Sequence, residues 1–287
     1  MPPSPTAPSD TSPVWVLGGG GVAGIAWEVG ILAGLAAEGV SVTADAVLLG
    51  TSAGAVVAAQ IAGGTPLAQL YERQRAGVPY ETATGLGLGD LVRLSRAQFL
   101  VRSPEHAARR LGQLALGTDD ATIERMRTII EARLPVHDWT DASVRIVAVD
   151  AETGQARTFT RSDGVALVDA VAASCAVPLS TAPIPIEGRR YLDGGMRSTL
   201  NLDLAPGSGP VIALAPSTAA IGPWARIATQ RAALGANRRV EVLLRDAASK
   251  RAQGRTVMDP AIVPALVAAA REQGRREAPR VHAALAD

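Results

Sequence analysis

Cys175 is the sole cysteine among 287 residues. One thiol cannot close an internal disulfide, and it cannot supply an iron–sulfur cluster or a Cys-rich zinc site, so a reducing, cytoplasmic setting fits. Lysine is equally scarce. Lys250 stands alone and nearly all positive charge is arginine, yet the formal net charge is only +1. A balance this close to zero offers no basic face for nucleic acid, and none is expected as a partner. The three histidines are His106, His137 and His282. Neither Asp119-Asp120 nor the acidic positions at 272–277 have His or Cys companions, so no metal and no cofactor is expected. Aromatic residues make up 3% of the chain. With so few rings, Trp15, Trp27, Trp139 and Trp224 read as core or interface anchors, and Cys175 as a small buried side chain.

Residues 1–13 are rich in Pro, Ser and Thr and have neither a basic n-region nor an apolar h-region, so they read as a disordered tail and not as a signal peptide. A single domain over 14–287 is expected after it. The stretch 46–71 has no charged residue and exceeds the roughly 20 residues that span a bilayer. Gly50, Ser52, Gly54, Gly63, Gly64 and Pro66 divide it into strand, turn and helix, which suits a doubly covered parallel sheet.

What the chain does contain is apolar and rich in turn formers: 47% hydrophobic residues, 29 glycines and 19 prolines. A short apolar run at 14–17 closes on Gly18 to Gly21, and helical spacing follows over 25–38. The run 46–49 enters Gly50-Thr51-Ser52-Ala53-Gly54 and continues as a helix over 55–62. Two successive strand, turn, helix units imply a parallel sheet with helices on its faces. Residues 66–135 predict a mainly helical cover, with helices at 104–115 and 120–133 and an interruption at 85–89. Strands are expected at 144–149, 156–160, 210–214 and 239–244, with a hairpin of 184–186 and 190–192 around Glu187-Gly188. Further helices are expected at 165–173, 224–234 and 261–285.

Three segments carry chemistry. Gly50-Thr51-Ser52-Ala53-Gly54 has the G-x-S-x-G pattern of a nucleophile elbow between strand and helix, which lifts the Ser52 hydroxyl out of the sheet beside a helix N-terminus. Gly18 to Gly24 offers main-chain N–H groups unobstructed by side chains, which suits a phosphate or a carbonyl oxyanion. A dinucleotide site would also want an acidic residue at the end of the next strand, where this chain has Gly50-Thr51-Ser52. Tyr191-Leu192-Asp193-Gly194-Gly195 ends a strand with a carboxylate on a Gly-Gly turn, which is also the pattern of a solvated hairpin turn. On the residues alone, three readings stay open: a serine hydrolase, a non-catalytic lipid-binding or regulatory protein, and a nucleotide binder using the glycine loop. A histidine triad would need His282, which lies in an Arg- and Ala-rich terminal helix.

In these motifs the chain resembles the patatin-like phospholipase family: Gly19 to Gly24, Gly50 to Gly54, Asp193-Gly194-Gly195, and Ala173-Ser174-Cys175-Ala176-Val177-Pro178. The likeness covers most of 14–274. It implies an α/β fold, a three-layer α/β/α sandwich with a mainly parallel sheet, and a lipid acyl hydrolase with no cofactor. It also implies lipid or other acyl-ester substrates and peripheral contact with membranes. Carried over by motif, Ser52 is the nucleophile, Asp193 its base, and the amides at Gly19, Gly20 and Gly21 the oxyanion hole, with Gly24, Gly50, Gly54, Gly194 and Gly195 shaping the turns. Where the family's glycine loop commonly has Arg or Lys before its last glycine, this chain has Ala23, and Asn201 is displaced from the usual position after Asp-Gly-Gly.

Overall fold

A computed structural model describes residues 8–77, 93, 101 and 103–286; the interruption expected at 85–89 lies outside them. The strands are β1 (Val14–Leu17), β2 (Val47–Thr51), β3 (Ser143–Asp150), β4 (Ala156–Phe159), β5 (Ile184–Ile186), β6 (Arg189–Asp193), β7 (Val211–Ala215) and β8 (Val240–Leu244). They form one sheet in the order β5-β6-β3-β2-β1-β7-β8, with β4 on the other edge of β3. β3, β2, β1, β7 and β8 run parallel, and β4 and β6 run antiparallel to β3. β1, β2 and β7 are buried at every position. Strands covered on both faces read as unbroken apolar runs because neither side meets water.

The covering helices are α1 (Gly21–Ala37), α2 (Ala53–Ala62), α3 (Leu67–Arg75), α4 (Pro104–Ala115), α5 (Ala121–Arg133), α6 (Leu167–Ser174), α7 (Ile227–Ala233), α8 (Ala247–Gln253) and α9 (Val263–Leu285). Side chains alternate along each strand, so Trp15 and Leu17 join the core beneath α1, α2, α6 and α9. Val14 and Val16 point the other way, into a second core with Leu200, Leu202 and Ile227 of α7. α4 extends that face by packing Ala108 and Ala115 against Val149 and Leu192. The result is the three-layer α/β/α arrangement with a mainly parallel sheet.

Some boundaries differ from the sequence expectation for local reasons. The helix expected over 224–234 is a single turn, Pro223–Ala225, followed by α7, because Arg226 between them has extended backbone (φ −68°, ψ 134°). α8 is an addition to the expected helices; Asp246 caps it by accepting from the Ser249 amide at 2.7 Å. Packing also begins ahead of the compositional break at Pro13: Ser12 is buried, and the Asp10 carbonyl accepts from the amides of Ser208 (2.7 Å) and Gly209 (3.2 Å). Among the described residues, no helix is long and apolar enough to cross a membrane.

α1 and α9 cross closely enough to exclude side chains. A Cβ on Gly274 would lie 2.3 Å from the Ile31 carbonyl oxygen, and one on Gly34 would lie 2.2 Å from that of Arg271. Gly274→Val is therefore expected to force the helices apart, lowering stability by about 1–3 kcal/mol or more, to be read as a fall in Tm.

Candidate active site

The strand register brings the site together. β2 pairs with β3 up to Thr51 opposite Val147, and β6 takes up the same edge of β3 from Asp193 opposite Ala148. That edge is shared because β4 occupies the opposite one over Ile146 to Val149. β2 and β6 thus run head to head, and the residue after Thr51 meets the last residue of β6. Ser52 Oγ donates to Asp193 Oδ2 at 2.7 Å.

Ser52 sits at φ 53°, ψ −115°, a conformation an L side chain rarely adopts. Its neighbours allow that sharp reversal: a Cβ on Gly54 would lie 2.0 Å from the Leu17 carbonyl oxygen, and the Gly54 amide donates to Gly18 O at 3.1 Å. From below, the Ser174 hydroxyl accepts from the Ser52 amide (2.8 Å) and donates to Val147 O (2.7 Å). Asn201, fully buried, donates to Thr51 Oγ1 (3.1 Å), Gly194 O (3.1 Å) and Ser198 O (2.7 Å), tying the elbow strand to the Asp-Gly-Gly turn. The sequence assigns neither role. Ser174 at least belongs to a family motif, whereas only distant contacts mark the function of Asn201. Ser174→Ala leaves the Ser52 amide and Val147 O without their partner. It is expected to cost about 1–3 kcal/mol in denaturant unfolding.

Asp193 is 3% exposed. Its Oδ1 accepts from the Gly195 amide at 2.7 Å, leaving Oδ2 to Ser52. Burial raises its carboxyl to about pKa 6, although both hydrogen bonds pull the other way. The solvated hairpin turn that this motif could also form is thereby excluded.

The glycine loop departs from the expectation at one position. The Gly19 amide donates to Thr199 O at 2.6 Å, so it is not free to meet an oxyanion. Among the described residues the amides of Gly20, Gly21 and Val22 have no acceptor. They open the first turn of α1 and line a cleft of about 570 Å³ together with Ser52 and Asp193. Val22 lies within the Gly18 to Gly24 stretch but is not among the donors, Gly19, Gly20 and Gly21, that the family motif assigns.

Ile25, Met126, Ile129, Val177 and Leu244 give the cleft an apolar wall. Cys175 lines it half-buried, and burial followed by the nearby Asp193 carboxylate pushes its thiol up to about 12, so it stays protonated. His106, His137 and His282 are all exposed and none lines the cleft. Among the described residues, no three His, Cys, Asp or Glu side chains gather as metal ligands.

The family model of the patatin-like phospholipases matches residues 15–206, two thirds of the chain. The chain belongs to the patatin-like phospholipase family. Both members of the facing pair, the glycine loop and the Ser174 segment fall within the matched residues, whereas β7, β8, α8 and α9 lie beyond them. Among solved structures, the chain is similar to VipD from Legionella pneumophila, at 13% identity and a TM-score of 0.40, over 74% of this chain and 51% of that one. It is also similar to the type III effector protein ExoU, at 14% identity and a TM-score of 0.37, over 96% of this chain and 54% of that one. This patatin-like chain spans about half the length of each. No curated protein matches it.

Proposed function

We propose that this chain is a serine acyl-ester hydrolase acting on lipid or related acyl esters, with Ser52 as nucleophile and Asp193 as its base. The observation that carries the reading is the 2.7 Å hydrogen bond from Ser52 Oγ to Asp193 Oδ2 at the floor of a cleft. A serine hydroxyl attacks an ester only as a base removes its proton. In the proposed sequence, Ser52 Oγ attacks the carbonyl carbon as Asp193 Oδ2 takes its proton. The amides of Gly20, Gly21 and Val22 receive the developing oxyanion at the positive end of α1. The proton then passes from Asp193 to the leaving alcohol. Water, deprotonated by Asp193, then attacks the acyl carbon, and Asp193 returns that proton to Ser52 Oγ as the C–Oγ bond breaks and the acid leaves.

Membership of the patatin-like family supports lipid substrates, as does the apolar wall. Leu244 and Val257, both exposed at the cleft, support presentation of its mouth to a lipid surface. We read 14–286 as one hydrolytic domain, because β8 and α8 supply part of the cleft wall.

Hydrolysis of 4-nitrophenyl butyrate tests the reading. Activity is expected to disappear in Ser52→Ala and to persist in His282→Ala; loss of activity in a folded His282→Ala protein would point to a triad instead. The glycine loop gives a separate prediction. Gly21 has φ 60°, and a Cβ there would lie 2.6 Å from Met258 Sδ and 3.0 Å from Val257 O. Gly21→Val is expected to displace the loop amides and to lower kcat by roughly 10²- to 10³-fold, the usual loss for an oxyanion donor. A kcat within threefold of wild type would remove Gly21 from the role.

A further inference from the structure

One short segment, residues 197–201, touches both members of the dyad and the glycine loop. Gly194 O, next to Asp193, accepts from the amides of Arg197 (3.1 Å) and Ser198 (3.3 Å) and from Asn201 Nδ2 (3.1 Å). The same Nδ2 reaches Thr51 Oγ1 beside Ser52, and Thr199 O holds the Gly19 amide. The base, the nucleophile and the oxyanion loop therefore take their relative placement from contacts with this segment.

Asn201 makes these contacts in one orientation. Arg197 Nη1 donates to its Oδ1 at 2.9 Å, which turns the N–H groups toward the elbow strand and the Asp-Gly-Gly turn. Arg197 is itself held by the Asp203 carboxylate through two hydrogen bonds, at 3.0 and 2.5 Å. The Asn201 backbone is left-handed (φ 51°, ψ 37°), a conformation that asparagine adopts more readily than most residues.

The segment is gripped in turn from 224–230, beyond the residues the family model matches. Trp224 Nε1 donates to Arg197 O at 3.2 Å. Gln230 of α7 donates from Nε2 to Ser198 Oγ (2.7 Å) and to Ala225 O (2.9 Å), and its Oε1 accepts from the Leu202 amide (2.6 Å). Ser198 Oγ also accepts from the amides of Leu200 and Asn201, each at 3.2 Å. Gln230 and Ser198 are each 1% exposed, and neither lines the cleft. A fully paired network shielded from water is rigid, and loss of one member leaves the others unpaired where water cannot replace it.

We propose that Gln230 is a positioning residue for ester hydrolysis: acting through Ser198, it fixes residues 197–201 and with them the placement of Ser52, Asp193 and the loop amides. That role rests on the hydrolase reading above. Attack on an ester requires near-contact geometry, and a misplacement of about 1 Å caused far from the reacting atoms can cost roughly 10²-fold in rate.

Steady-state hydrolysis of 4-nitrophenyl butyrate, at a temperature where circular dichroism shows each protein folded, tests the role. Gln230→Met keeps the side chain's length and removes its hydrogen bonds. Its kcat is expected to fall about ten- to a hundredfold with KM within about threefold of wild type, because Gln230 touches no substrate. Gln230→Asn, one methylene shorter, falls short of Ser198 and Leu202 and serves in its place if Gln230→Met fails to fold. Ser198→Ala removes the hydroxyl that Gln230 reaches and is expected to lower kcat about tenfold, and the double variant should be no slower than the slower single one, since both changes cut one path. Ile227→Ala, on the same helix, removes packing from the second core and none of these bonds, so it should lower Tm and leave kcat within about twofold of wild type. A wild-type kcat in Ser198→Ala or in a folded Gln230 variant would overturn the positioning role. So would losses that multiply in the double variant, or a loss in Ile227→Ala as large as theirs. Each of those results leaves the hydrolase reading standing, whereas a wild-type protein that hydrolyses no ester would overturn both.

Discussion

Ser52→Ala is expected to lower kcat/KM for 4-nitrophenyl butyrate by roughly 10⁴-fold or more, with the fold unchanged by circular dichroism. The size of the effect follows from chemistry: with no hydroxyl at the end of β2, no acyl-enzyme forms, and Asp193 and the loop amides are left with only an unactivated water. A second substitution at the same position separates catalysis from strain. Ser52 holds φ 53°, ψ −115°, which costs a side-chain-bearing residue about 1–3 kcal/mol and glycine far less. Ser52→Gly should therefore be as inactive as Ser52→Ala and unfold at a higher temperature. Equal Tm values for the two variants would show that the elbow stores no strain.

The second large effect concerns Asp193, whose carboxyl is raised by burial to about 6. Only the carboxylate can accept the Ser52 proton, so kcat/KM is expected to fall tenfold per pH unit below about 6 and to level off above it. Asp193→Asn should lower the plateau by about 10²- to 10⁴-fold and abolish that ionisation. Stability should move the opposite way. The folded-state value lies above the ordinary 3.8 of an aspartate, so between pH 4 and 6 the folded protein binds more protons than the unfolded chain. The contribution of this group is thus favourable at low pH and is lost as pH rises through about 6. Raising a carboxyl's pKa by one costs its ionised form about 1.4 kcal/mol, so Asp193→Asn is expected to be more stable than wild type at pH 8, by up to roughly 3 kcal/mol, and no more stable at pH 4. A variant less stable than wild type at pH 8 would mean that the ionised carboxylate is well solvated or well paired, contrary to its burial.

The fold and the facing pair are legible in the sequence because their signals are local. Val14 to Leu17 and Val47 to Leu49 are short apolar runs ending in glycine, and glycine loop, elbow and Asp-Gly-Gly each occupy fewer than about ten consecutive residues. What is not legible depends on contacts between distant segments. Nothing near Gly19 announces that Thr199 O occupies its amide, 180 residues away. Asn201 reaches Thr51 across 150 residues, and Ser174 reaches Ser52 across 122. α8 leaves no periodic trace because seven residues, Ala-Ala-Ser-Lys-Arg-Ala-Gln, have too few apolar positions to show a helical period, although Asp246 before them is a good cap. The burial of Glu28 and Arg245 is hidden for a related reason: a charged residue inside an apolar helix or just after a strand reads as solvated until the packing of α1 against α9 is known.

Covalent labelling with a fluorophosphonate, followed by mass mapping of the modified peptide, addresses the dyad most directly, since the reagent reports a serine whose proton is being removed beside an oxyanion site. Stoichiometric modification of Ser52, slowed strongly in Asp193→Asn and absent in Ser52→Ala, is the predicted result. Ester hydrolysis accompanied by labelling at another residue, or by labelling of Ser52 at the same rate without Asp193, would contradict it.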